Sequence, residues 1–195
     1  MINYALMGSA AKKLMTASEY LEFERNSFEK HEFYSGEIYA MAGAKERHNL
    51  IVSNLIATIG IQIKNKPYVV YPSDMRVVID EYNHYTYPDV TLVCGERKFL
   101  DIKNDSLLNP NVIIEVLSDS TEKYDRGKKF EAYRNIISLR EYMLVSSEHK
   151  KIELFTKTTD GKWLFSENTL DEIIIPMLDL TLLLSDVYDK VEFES

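Results

Sequence analysis

An acidic residue stands in the middle of an apolar, β-rich run, Val112-Ile113-Ile114-Glu115-Val116-Leu117. Such a run reads as a strand buried on both faces, and a carboxylate placed in it costs several kcal/mol to desolvate unless something neutralises it. Three solutions exist: an edge position facing water, an ion pair with a core-facing arginine, or a bound cation. The second acid to weigh is Asp89 in Tyr87-Pro88-Asp89-Val90, 26 positions before Glu115. Taken alone, Pro-Asp at a strand start is a common turn.

The rest of the chain supplies the frame around that strand. Thr16 and Glu19 have the spacing of a capping box, predicting a short helix to about Asn26. Two β-rich runs flank Ser35-Gly36, the composition of a tight hairpin. From Lys45 to Ile63, the residues Leu50, Ile51, Leu55, Ile59 and Ile63 recur at helical steps and predict a long helix closed by Pro67. The runs Tyr68 to Ile79, Tyr87 to Cys94 and Val112 to Leu117 are expected at the centre of a sheet. Phe130, Tyr133, Ile136 and Ile137 predict a second long helix over 124–136. Tyr142 to Val145 is a strand, Thr159-Asp160-Gly161-Lys162 turns a second hairpin, and a cap runs from Ile173 to Tyr188. The order predicts an α/β (α+β) layered fold with a mixed sheet flanked by helices. We expect a loose tail over 1–14 and one domain over 15–195, a size at which one core is usual.

Charge narrows the function. The chain has 195 residues, with 23 Lys plus Arg against 31 Asp plus Glu, a net charge of −8. A domain coated in basic residues for phosphate is excluded, so any grip on nucleic acid must be local. One cysteine, Cys94, allows no internal disulfide, and no stretch approaches the ~18 apolar residues of a membrane span. We therefore expect a cytoplasmic protein without a membrane partner.

Asp89 and Glu115 on neighbouring strands would form a hard oxygen site suited to Mg²⁺. Asp125, Lys129 and Tyr133 are spaced by four and share one helix face. From there Lys129 could reach the carboxylates and orient or deprotonate an attacking water. The plain alternative is a surface pair of Asp125 with Lys129 over a core tyrosine. Asp74 reads as a turn former or a partner of Arg76.

Several of these motifs together resemble one family. Tyr87-Pro88-Asp89-Val90, Val112 to Ser118, Tyr124-Asp125-Arg126-Gly127-Lys128-Lys129-Phe130 with Tyr133, Arg140 to Val145, and His31 to Gly43 with His48 are similar to the Uma family. These are restriction-endonuclease-like proteins of the PD-(D/E)XK nuclease superfamily. The likeness runs from about Thr16 to Tyr188. It implies a restriction-endonuclease-like core and metal-dependent hydrolysis of DNA phosphodiesters, with Mg²⁺ or Mn²⁺ as cofactor and Asp89 and Glu115 as metal ligands. The usual pattern places lysine two residues after the second acid, where this chain has Leu117. The resemblance assigns that role to Lys129, on the helix, and makes Asp89, Glu115 and Lys129 the catalytic set.

Glu37, His48, Asp125 and Tyr133 are candidates for the site lining, and Lys123, Arg126 and Lys128 for weak nucleic-acid contact. A homodimer, addressing two strands, follows by analogy only. The competing function is a catalytically silent nuclease-fold module with a binding or regulatory role, favoured by the acidic balance and by Leu117.

Overall fold

The computed structural model describes residues 14–80, 83–168 and 171–193, except for the side chain of Asp80. The expected tail therefore lies outside the described residues apart from Leu14. That residue is seated against Gly36, where an added Cβ would meet its Cβ at 2.7 Å.

Helix α1 (Ala17–Asn26) opens with the expected capping box of Thr16 and Glu19. Strands β1 (His31–Tyr34) and β2 (Glu37–Ala40) form the first hairpin, with Ser35 and Gly36 at positive φ as a primed turn requires. Helix α2 (Glu46–Ile63) buries Ile51, Leu55, Ile59 and Ile63, the stripe its periodicity predicts.

The stretch Tyr68 to Ile79 is two strands, not one. Strand β3 (Tyr68–Pro72) and strand β4 (Arg76–Asp80) belong to different sheets, because the chain turns at Pro72-Ser73-Asp74. Asp74 is exposed there and pairs with Lys30 at 3.0 Å, not with Arg76. Strand β5 (His84–Thr86) stays with β4, and β6 (Val90–Cys94) returns to the sheet of β3. Strands β7 (Ser106–Leu107) and β8 (Val112–Leu117) follow.

The second long helix is also broken: α3 (Glu122–Tyr124), a π-helical turn over Asp125–Lys129, and α4 (Phe130–Tyr133). The Tyr142 hydroxyl donates to the Asp125 carbonyl at 3.0 Å, occupying the acceptor that an α-helical bond from Lys129 would use. Tyr133 and Ile136 are buried as expected, whereas Ile137 lies beyond the helix and is exposed. Strands β9 (Glu141–Ser146), β10 (Ile152–Lys157) and β11 (Trp163–Glu167) complete the main sheet, with Gly161 at positive φ in the second hairpin. The C-terminal cap is a small hairpin of β12 (Glu172–Ile175) and β13 (Leu180–Leu183) followed by α5 (Leu184–Val187).

Two mixed sheets result, ordered β2-β1-β5-β4-β7 and β11-β10-β9-β8-β6-β3. Strand β8 is central in the larger, parallel to β9 and antiparallel to β6, whereas β3 is an edge strand. Its alternation sorts the two faces. Val112, Ile114 and Val116 pack with α2 and the C-terminal cap. Ile113 and Leu117 pack with Tyr133, Ile136 and Val77 of the smaller sheet. Glu115 points the same way as this second set, toward α4 and the seam between the sheets.

Candidate active site

The seam is where the chain passes from one sheet to the other, through Tyr87-Pro88-Asp89 between β5 and β6. Glu115 is 3% exposed on the central strand. Its Oε1 meets Lys129 Nζ at 2.9 Å and accepts from the Tyr133 hydroxyl at 2.7 Å. The cation that answers this buried acid is thus a lysine from the following helix; neither water at a sheet edge nor an arginine does so. Lys129 is itself buried, and two more carboxylates flank its ammonium: Glu32 at 3.4 Å and Asp125 at 3.5 Å. The Thr86 hydroxyl donates to Glu32.

Asp89 sits at the mouth of β6. Its Oδ2 accepts from the Val116 amide at 2.8 Å and contacts His48 Nε2 at 3.2 Å. His48 Nδ1 is buried without a partner among the described residues. Burial pulls the His48 imidazole down, but the hydrogen bond and charge of Asp89 outweigh it and leave the ring above its ordinary range.

One lysine facing three acids, with Asp89 close behind, is a surplus of negative charge in a dry place. Burial, opposed by Lys129 but reinforced by Asp125 and Asp89, pushes Glu115 up to about 8. Asp125 is also raised, mainly by burial. Burial would depress Lys129, yet Glu115 and its neighbours more than offset this and hold the amine well above its ordinary value. Lys129 is therefore an ammonium at neutral pH: it can donate hydrogen bonds and stabilise developing negative charge, and it is poorly suited to take a proton.

Of the expected lining residues, Asp125, Tyr133 and His48 stand at this cluster. The acid that the first hairpin delivers to Lys129 is Glu32, which sequence reasoning passed over; Glu37 accepts instead from the Tyr39 hydroxyl at 2.6 Å. Both acids lie on one face of the hairpin, but β1 pairs inward with β5 whereas β2 is the outer strand. Arg126 is held by Glu122 and Glu153. Lys123 and Lys128 are exposed and make no ion pair among the described residues.

No group of three or more His, Cys, Asp or Glu among the described residues is gathered as a metal cage. Asp89 and Glu115 nevertheless suit a hard cation: they offer only carboxylate oxygen, and the contacts above leave Asp89 Oδ1 and Glu115 Oε2 outside them. Mg²⁺ typically uses one or two protein carboxylates and keeps its other positions for water or phosphate.

Comparisons with known proteins agree with this architecture. The Uma2 family, described as "Putative restriction endonuclease", matches residues 17–185. Two proteins of Synechocystis sp., sll1609 and slr1290, are similar: 40% identical over 162 residues, 83% of this chain and 92% of the relative, and 34% over 187 residues, 95% and 97%. A crystal structure from Anabaena variabilis, titled as a putative nuclease belonging to DUF820, superposes with a TM-score of 0.75 at 16% identity, over 91% of this chain and 99% of that one. It shares the fold. With the family signature covering 17–185 and relatives aligned over most of their length, the chain belongs to the Uma2 family of restriction-endonuclease-like proteins.

Proposed function

We propose that this protein is a metal-dependent nuclease that hydrolyses phosphodiester bonds of DNA. The observation that carries the reading is the 2.9 Å contact between Lys129 Nζ and Glu115: a helical lysine stands beside the second acid, at the place where Leu117 leaves the superfamily pattern without one. Asp89 and Glu115 would hold Mg²⁺ or Mn²⁺. A divalent ion there would polarise a phosphoryl oxygen and screen the charge that develops as the ester is attacked. Tyr133 fixes Glu115 through its hydroxyl, and the Val116 amide and His48 fix Asp89, so both acids are oriented before anything binds. Lys129, kept as an ammonium, aligns the attacking water and stabilises the crowded phosphoryl group. Supercoiled plasmid incubated with Mg²⁺ or Mn²⁺ tests this: wild type should nick it and Asp89→Ala should not. Equal nicking by both would reveal a contaminant.

The second reading, a silent module on a nuclease scaffold, draws on the net charge of −8 and on the full engagement of Lys129 by acids. Calorimetric titration separates the two: a silent module should show no Mg²⁺ affinity that depends on Glu115.

A further inference from the structure

The hairpin that supplies Glu32 has two unlike faces. His31 and Phe33 turn inward, Phe33 stacking on Tyr20 with ring centroids 4.8 Å apart. The other face carries Glu32 and Tyr34 from β1 and, by register, Tyr39 opposite Glu32 and Glu37 opposite Tyr34. Directly opposed residues of an antiparallel pair lie on the same side with Cβ atoms ~5 Å apart. Tyr39 is therefore the immediate neighbour of the acid that touches Lys129. Tyr34 and Tyr39 are diagonal across the hairpin, ~7 Å apart, and are 52% and 51% exposed.

Neither ring is needed by the core, yet each is pinned. The Tyr39 hydroxyl donates to Glu37 at 2.6 Å, and Tyr34 lies edge-on to His84 with centroids 4.8 Å apart. Across Glu32, on α3, Tyr124 is a third partly exposed ring, 38% in solvent. Two pinned tyrosines thus flank the acid that touches the buried ammonium, with a third ring across from it.

We propose that this face is a stacking platform for unpaired nucleobases, so that the substrate is single-stranded DNA or an unpaired end, not an intact duplex. The proposal rests on the nuclease reading of the site. Charge supports this occupant over a duplex. Holding a duplex by its phosphates takes many cations, whereas this chain is acidic and, of the cations proposed for contact, Arg126 is held by two carboxylates. Base stacking on aromatic rings draws on the π-faces of the bases, tolerates any sequence and leaves only a local role to cations such as the exposed Lys123 and Lys128. Paired bases inside a helix cannot reach the rings; splayed ones can, and stacking them on Tyr39 lays the adjoining phosphodiester beside Glu32 and Lys129.

The test is fluorescence anisotropy of the full chain in EDTA, so that nothing is cleaved, with three end-labelled probes: a 15-nucleotide thymidine strand, an abasic strand of equal length, and a blunt duplex. Wild type should bind the thymidine strand about tenfold or more tighter than the abasic strand, and tighter than the duplex. Tyr39→Ala and Tyr34→Ala should each lose about tenfold on the thymidine strand, the size of one stacked base, and nothing on the abasic one. Tyr39→Phe, which keeps the ring, should bind nearly as wild type. Equal binding of thymidine and abasic strands, preference for the duplex, or no binding at all would overturn the proposal; the comparison of probes on wild type needs no variant to fold. Plasmid nicking with Asp89→Ala as control is read separately. Stacking without Mg²⁺-dependent cleavage would sink the nuclease reading and leave the platform standing, and cleavage without stacking would do the reverse.

Discussion

Arg76 and Lys129 are both buried cations, 4% and 7% exposed, each at the centre of a polar cluster near the seam. Around Arg76 everything is answered. Its Nε donates to the Tyr87 hydroxyl at 2.9 Å and its Nη1 to Ser106 at 3.2 Å. The Tyr87 hydroxyl donates in turn to Glu24 at 2.8 Å, and Glu24 also accepts from the His31 amide and faces the His31 ring. One acid, one arginine and their donors close on themselves. Around Lys129 the sum does not close: Glu32, Glu115 and Asp125 share one ammonium, and Glu115 is driven up to about 8 by burial and its neighbours. On the nuclease reading proposed above, that surplus is what a site that works on a phosphate and a cation would keep.

The sharpest way to break that contrast is to remove each cation in turn. Lys129→Met should lower Mg²⁺-dependent DNA hydrolysis by ~10²–10⁴-fold, the range for a lost positioned donor or charge stabiliser. Arg76→Met should leave hydrolysis largely intact in the fraction that folds, but cost about 1–3 kcal/mol by stripping the buried Tyr87 and Ser106 hydroxyls of their shared donor. At this chain length that is roughly 2–12 °C in melting temperature. Nicking assays and thermal melts on both variants check this. If Lys129→Met cleaves like wild type, the two clusters are alike and both are structural.

A second test reads the surplus charge directly. Glu115 holds its proton in the folded chain up to about 8 but loses it near 4.5 when unfolded, so between these values the native state binds more protons and stability falls as pH rises. Metal-free wild type should therefore melt several degrees lower at pH 8.5 than at pH 5.5. Added Mg²⁺ should recover much of the loss and release protons. Glu115→Gln removes the charge and keeps an oxygen for Tyr133, so its melting temperature should depend less on pH and not respond to Mg²⁺. A Mg²⁺ shift of equal size in Glu115→Gln would place the ion elsewhere.

Much of this was legible in the chain because local chemistry and tertiary use coincide. The Thr16–Glu19 box, Ser35-Gly36, the Asp160-Gly161 turn and the α2 stripe are each fixed by their own backbone needs. The interrupted apolar run around Glu115 announced a partner, and Asp89 and Lys129 were nameable through the family motifs. What stayed hidden depends on contacts between distant segments. Pro72-Ser73-Asp74 signals a turn, but nothing in Tyr68 to Ile79 says that its two halves join different sheets. The π-turn exists because Tyr142, from another strand, takes the Asp125 carbonyl. Glu32 and Glu37 are equivalent by composition and alternation; which of them reaches the lysine is decided by which hairpin strand pairs with β5, a fact held in the partner strand.

The smallest expected effect sharpens the contrast by setting beside Glu115 a raised acid outside the proposed site. Glu141 at the start of β9 is fully buried; its Oε1 accepts from the Met177 amide at 3.0 Å, and its Oε2 has no partner among the described residues. Burial, only partly countered by that amide, pushes it up to about 7. No basic side chain is among the causes of its shift, unlike Glu115, so its burden falls on stability alone. The sign is the same: the folded state keeps the proton from about 4.5 to about 7, and stability declines across that interval. Glu141→Gln introduces a buried amide with no acceptor of its own, a pH-independent cost of about 1–3 kcal/mol. The variant should therefore start lower at pH 5 and lose less on going to pH 7.5, converging on wild type within a few degrees, with cleavage per folded molecule unchanged. A parallel pair of melting curves would mean that Glu141 is already charged or solvated in the fold. A loss of cleavage that outruns the loss of fold would extend the catalytic surplus to a second acid outside the seam.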